Sequence, residues 1–148
     1  MSIQDYIQNA VAASRAKTLA QSDQLTLGAI IKKLEPIVKK QSERDNEATV
    51  CYDFEYLFPK SINSWRGSYN ELALDFHSDG EQLKVSKFLA MLKAADGETF
   101  TGYKGGDYVM DGSTPVWVAN YGNSGNTAVI DVVDNGYEVI LMTGYREF

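Results

Sequence analysis

The spacing of apolar residues along this chain alternates between helical and strand periods, and each change marks an element. In SIQDYIQNAVAASRAKTLA, Ile3, Ile7, Ala10 and Val11 recur at three- and four-residue spacing, which predicts a helix. Its apolar stripe is short, because Ser14, the next position on it, is polar. SDQLTLGAIIKKLEPIVKK repeats the pattern through Leu27, Ile30, Ile31 and Leu34. Thr26 stands where an N-cap is expected, and Pro36, with no N–H to donate, is expected to end or kink that helix. KKQSERDNEA, residues 39–48, is polar and aperiodic and reads as a loop.

From Thr49 the period becomes two. Val50, Tyr52, Phe54, Tyr56 and Phe58 line one side of an expected strand, and Cys51, Asp53 and Glu55 line the other, with Pro59 as the stop. ELALDF alternates again, with Leu72, Leu74 and Phe76 on one face. LKVSKFLAMLKAADG returns to helical spacing through Val85, Phe88, Leu89 and Leu92, and Gly97 sits where a helix C-cap belongs. PVWVANY reads as a strand. TAVIDVV and YEVILMT flank Asp134-Asn135-Gly136, and Asn-Gly between two alternating runs is a strong hairpin signal. The order is helix, helix, strand, strand, helix, then several strands. It predicts an α+β fold in which N-terminal helices precede a mainly antiparallel sheet with one further helix packed on it. Residues 1–148 read as a single domain, with 1–22 as a helical arm.

Composition narrows the function more than it narrows the fold. A net charge of −6 argues against broad binding to nucleic acid or to an anionic membrane, both of which need a Lys/Arg-rich footprint. A single cysteine, Cys51, allows no intrachain disulfide, and neither a signal peptide nor a long apolar span is visible. The expectation is a soluble, cytoplasmic protein.

Catalytic signatures are weak. The only histidine, His77, lies beside Ser78-Asp79-Gly80 and reads as a residue flanking a turn, while Cys51 reads as a packed strand residue. Asp53 and Glu55 should share one side of a strand, with Asp75 across from them; a solvated polar face explains them better than a Mg²⁺ or acid–base cluster. No metal, cofactor or catalytic residue is expected.

Two stretches carry more chemistry. Trp65-Arg66-Gly67-Ser68-Tyr69 and Tyr103-Lys104-Gly105-Gly106 each combine aromatic surface, one cation and glycine. The second lies in TFTGYKGGDYVMDGSTPVWVANYGNSGN, where Tyr108 is also interleaved; it lacks the GxxxxGK[ST] pattern of a phosphate loop and also reads as a tight turn between strands. Together the two stretches suit a nucleotide: Trp65, Tyr69 and Tyr103 for stacking, Arg66 and Lys104 for phosphates, and Gly105 and Gly106 for close backbone approach. Asn120 and Asn126 offer amides for base edges. Tyr and Trp are also enriched at protein interfaces, so a protein partner explains the same residues.

TLGAIIKKLE, a strand ending in FP, SWRGSYNELALDF, a short helix and FTGYKGGDYVMDGSTPVWVANYG together resemble a widespread family of small tailed-phage proteins, over roughly Thr26 to Gly122. The resemblance implies an anti-defence "sponge", a protein that binds and sequesters a cyclic di- or trinucleotide immune signal in the host cytoplasm without cleaving it. It also implies a homo-oligomer that holds its ligand near subunit contacts. Two alternatives stay open. One is a protein-directed inhibitor of a host nuclease or effector, suggested by the net charge of −6, although the acids are interleaved with lysines. The other is a phosphodiesterase working through His77 or the Asp53, Glu55 and Asp75 group.

Overall fold

The computed structural model describes residues 23–41, 47–76, 82–120 and 123–146. The expected arm at 1–22, the middle of the polar loop and the His77 turn lie outside these residues. The described part is α+β, as the spacing of apolar residues predicts. Helix α1 spans Leu27–Gln41, strands β1, β2, β3 and β4 span Thr49–Tyr52, Ile62–Trp65, Ser68–Leu74 and Leu83–Lys84, and helix α2 spans Val85–Ala95. There follow β5 (Thr99–Thr101), β6 (Asp107–Val109), β7 (Val116–Val118), β8 (Thr127–Asp134) and β9 (Glu138–Tyr145).

Seven strands form one sheet in the order β2-β3-β7-β8-β9-β1-β4, while β5 and β6 form a separate two-stranded ribbon. The large sheet is mixed. Pairs β2–β3, β7–β8, β8–β9 and β1–β4 are antiparallel, and pairs β3–β7 and β1–β9 are parallel. Both helices pack on one face, where Leu27, Ile30, Leu34, Phe88 and Leu92 meet Val50, Leu72, Leu74, Val116 and Leu141.

Helix α1 begins at the expected cap: the Ala29 N–H donates to Thr26 Oγ1 at 3.2 Å. Its next free donors, Leu27 N–H and Gly28 N–H, go to the carbonyls of Thr114 and Gly112, which stitches the helix start to the loop before β7. Pro36 does not end the helix, which runs five residues further to Gln41. Pro36 and Lys32 are both exposed, so water can reach the carbonyl that lost its donor, while Ile37 and Val38 pack on the core and Gln41 accepts from Ala48 N–H. Helix α2 ends as expected, with Gly97 just past the Asp96 cap at φ 83°.

The long strand expected at 50–58 is the clearest departure. Pairing with β4 ends at Val50 and pairing with β9 at Tyr52, the chain bends through residues 53–56, and Tyr52 N–H closes the bend onto the Leu57 carbonyl. Tyr52 and Phe54 therefore join the helix-covered core, Phe58 packs with Cys51 and Ile140 behind the sheet, and Tyr56 stays partly exposed. A buried carboxylate sits at the bend. Asp53 is fully buried and accepts from the N–H and Oγ1 of Thr143 on β9.

Tyr52 is buried, donates to the Asp75 carbonyl at 2.6 Å, and has its phenol pushed well above 10 by burial and then by the Asp75 charge. Its contribution to stability is complete below about pH 10, where folded and unfolded chains both keep the proton. Above that the unfolded chain releases a proton that the folded one retains, so stability falls as pH rises towards the folded value. Guanidinium unfolding at pH 8 and pH 11 should show a loss that is visibly smaller in Tyr52→Phe. An equal loss in both proteins would remove Tyr52 as its source.

Candidate functional site

The β2–β3 hairpin turns at Arg66-Gly67, and its geometry separates the residues of the WRGSY stretch. Trp65 folds under the turn and is 1% exposed, stacked on Trp117 with ring centroids 3.9 Å apart and planes 12° apart. Gly67 permits this, since a Cβ there would stand 2.4 Å from the Trp65 ring. Arg66, at the tip, is left exposed. Behind it the register between β2 and β3 jumps, from Trp65 opposite Ser68 to Ser64 opposite Leu72. Tyr69, Asn70 and Glu71 are thus bulged out of the β2 pairing, and the Ser64 hydroxyl pins the bulge by donating to the Tyr69 carbonyl at 2.6 Å.

The second stretch is the turn of the β5–β6 ribbon. Gly102 N–H donates to the Gly106 carbonyl at 3.0 Å and Gly105 N–H to the Gly102 carbonyl at 2.9 Å. Gly105 and Gly106 both take positive φ, 92° and 85°, which residues with a Cβ rarely adopt. Phe100 and Tyr108, opposite each other in the ribbon, pack on the main core, while Tyr103 and Lys104 are exposed at the tip.

The two turns meet within one chain. The Arg66 guanidinium lies 3.7 Å over the centre of the Tyr103 ring. Tyr69 faces Tyr108 with centroids 6.3 Å apart at 59°, and Gly102 is wedged between them, its missing Cβ only 3.0 Å from the Tyr69 ring and 3.1 Å from that of Tyr108. Arg66, Tyr69, Tyr103, Lys104, Gly105 and Gly106 therefore share one end of the molecule, where β5 runs beside β2 and β6 beside β3. Tyr108 belongs to the same group. The signal for it is the strand pairing of Phe100 and Tyr108 across the glycine turn, whereas the sequence singles out Tyr103 by its place beside Lys104 and the two glycines.

Two expected members are elsewhere. Trp65 offers no open ring face, because the indole is spent in the packing behind the sheet. Asn120 follows β7, which runs parallel to β3 with Val118 beside Leu74. That puts it past the far end of β3, roughly 15 Å or more of extended strand from Tyr69. Asn126 is engaged near the C-terminus, where its Nδ2 donates to the Arg146 carbonyl at 3.0 Å.

The acidic group does not assemble as the alternation suggests. Asp53 is buried on Thr143, Glu55 is exposed, and Asp75 accepts from the N–H groups of Lys60 and Ser61 and from the Ser61 hydroxyl. Asp53 is thus neither solvated nor beside Asp75 in a cluster, because the bend after Tyr52 reverses the expected facing. Among the described residues no group of three His, Cys, Asp or Glu side chains gathers to hold a metal ion. Cys51 is buried and its thiol is pushed up to about 12, by burial first and then by the charges of Glu138 and Asp53, so little reactive thiolate forms near neutral pH. Among the described residues no helix is long and apolar enough to cross a membrane. Compared with known proteins, the chain matches no family model, no curated protein and no solved structure.

Proposed function

We propose that this protein is a binding module that captures a flat, anionic ligand on the Arg66–Tyr103 face, and that the ligand is a cyclic di- or trinucleotide signal held without cleavage. One observation carries the reading: the guanidinium of Arg66 lies over the ring of Tyr103, 37 positions away in sequence, at an exposed edge. A guanidinium held over a ring at an exposed tip keeps N–H donors in reach of solvent, and a guanidinium suits bidentate phosphate contact. Lys104 adds a second cation, on the β5–β6 turn beside Tyr103, and the half-buried Tyr69 and Tyr108 add aromatic surface. Base stacking contributes roughly 1–3 kcal/mol per base, so two stacked bases and two paired phosphates reach the ~8 kcal/mol of micromolar affinity. The resemblance to phage anti-defence proteins points the same way.

Arg66→Ala is expected to weaken binding of a cyclic di- or trinucleotide by about 10–100-fold, the loss of one charge-assisted contact of roughly 1.5–3 kcal/mol. Its thermal midpoint should stay near wild type, because the side chain is exposed at a turn tip. Calorimetric titration over a panel of cyclic nucleotides checks this, and ligand recovered intact after heat release separates sequestration from hydrolysis. Equal affinity in the variant would remove the site.

A protein-directed inhibitor is the second reading, favoured by the exposure of Val109 (68%) and Tyr103 (66%) on the ribbon. It predicts one stoichiometric protein partner, lost in Val109→Asp, and no binding of any nucleotide in the panel.

A further inference from the structure

Strands β2 and β5 lie side by side, and each runs towards one of the two tips that meet at Arg66 and Tyr103. Their starting ends, just after Lys60 and Glu98, are therefore neighbours too, at the opposite end of the ribbon. Between those ends and the last turns of α2 is a cavity of about 320 Å³. Ile62, Met91, Ala95 and Phe100 give it apolar walls, and the exposed Lys60 and Glu98 stand at its margin. Met91 and Phe100 pack on the core yet are only half-buried, and the small side chain of Ala94 leaves the opening wide beside them.

Hydrogen bonds hold both sides of the opening in place. Lys60 N–H and Ser61 N–H donate to Asp75 Oδ1 at 3.0 and 2.7 Å, and the Ser61 hydroxyl donates to Asp75 Oδ2 at 2.5 Å. On the other side, Glu98 N–H donates to the Ala95 carbonyl at 3.1 Å, and the Glu98 carbonyl accepts from Met110 N–H at 3.0 Å. A rim fixed in advance loses less freedom when a ligand arrives.

Size and charge select the occupant. Small-molecule sites span about 300–1,000 Å³, so this one is at the low end and too small for a di- or trinucleotide. A cation and an anion beside apolar walls complement a small molecule that carries both charges next to an apolar group. A simple carboxylate would meet the Glu98 charge, and a simple amine would meet that of Lys60. The carbonyl end of α2, at Ala94 and Ala95, adds negative partial charge on the Glu98 side, which favours an ammonium there.

We propose that this cavity binds a free α-amino acid with an apolar side chain. Its carboxylate pairs with Lys60, its ammonium with Glu98, and its side chain lies against Ile62, Met91 and Phe100. The site is separate from the Arg66–Tyr103 face, about 13 Å of strand away along β2, and does not depend on the nucleotide reading.

Titration of the full chain with L-phenylalanine, followed by the Met91 methyl and Phe100 amide resonances, is expected to saturate with a Kd of about 1 mM or lower. N-acetylphenylalanine lacks the ammonium and phenylalaninamide lacks the carboxylate. Each should bind about 10–100-fold more weakly, the loss of one charge-assisted contact. Glu98→Gln should remove the preference over N-acetylphenylalanine, and Lys60→Gln the preference over phenylalaninamide. Ala94→Phe, at an exposed helix position, should fill the cavity and abolish the titration while far-UV circular dichroism is retained. Absence of saturable shifts at tens of millimolar L-phenylalanine would overturn the proposal. So would equal binding of the three compounds by the wild-type chain, a comparison that decides the matter even if a variant fails to fold.

Discussion

Trp117→Ala is expected to lower the unfolding free energy by about 3–5 kcal/mol, the cost of truncating a large buried aromatic whose site cannot fully collapse. Trp117 is completely buried, stacked on Trp65, and its Nε1–H donates to Glu71 Oε1 at 3.0 Å. Three things go at once: the apolar area, the ring–ring contact and the partner of the Glu71 carboxylate. The loss should move the thermal midpoint by roughly 10 °C, since 1 kcal/mol shifts a domain of this size by about 2–4 °C. Trp117→Phe keeps a ring against Trp65 and should lose distinctly less. Denaturant unfolding of the three proteins makes the comparison. A loss below about 1 kcal/mol in Trp117→Ala would mean that the face behind the sheet is not a packed core. Because the Arg66–Tyr103 pair is on the exposed turns, any nucleotide binding at the proposed site should change much less in the folded variant than its stability does.

The second large effect is expected at Asp53. Asp53→Ala removes the acceptor for two buried donors on Thr143, at a cost of about 2–4 kcal/mol, because each donor left dry without a partner costs more than a typical hydrogen bond contributes. Asp53→Asn separates charge from hydrogen bonding. Its carbonyl oxygen can still accept from the Thr143 N–H, and its amide can donate to the threonine hydroxyl, so it should remain within about 1.5 kcal/mol of wild type. Thr143→Val tests the pair from the other side, stranding part of a buried carboxylate. If Asp53→Ala and Asp53→Asn are equally mild, the bend after Tyr52 is held by the Tyr52 N–H to Leu57 carbonyl bond and the packing of Phe54 and Phe58, not by the carboxylate.

Asp53 and Trp65, the ring that stacks on Trp117, also mark where one-dimensional reading stops. Period-two spacing placed Leu72, Leu74 and Phe76 on one face, and all three meet the helix-covered core, because alternation sends neighbours to opposite faces wherever a strand stays paired. It failed at Asp53, where pairing stops and a carboxylate finds a partner 90 residues away. Alternation past that point assumed a strand that long-range hydrogen bonding had already bent. Trp65 fails differently. The sequence groups Gly67 with an aromatic and a cation as ligand-binding chemistry, whereas Gly67 is the space into which the indole folds.

The site was legible in parts. Aromatic, cation and glycine content singled out both turns, and the fold brings Arg66 onto Tyr103 as the pairing of those stretches required. Nothing local marked Asn120 as distant, because its separation from Tyr69 depends on the parallel register of β3 and β7. Local chemistry determined by itself the Thr26 cap, the Gly97 helix end, the Asn135-Gly136 hairpin and the alternation of core residues, all set within a few residues by backbone sterics and side-chain period. Tertiary structure alone decided that α1 continues through Pro36, that β1 stops at Tyr52, and that Trp65 packs inward while Arg66 points out. Each of those outcomes depends on a partner far away in the chain, and a contact between distant residues leaves no trace in the spacing of near ones.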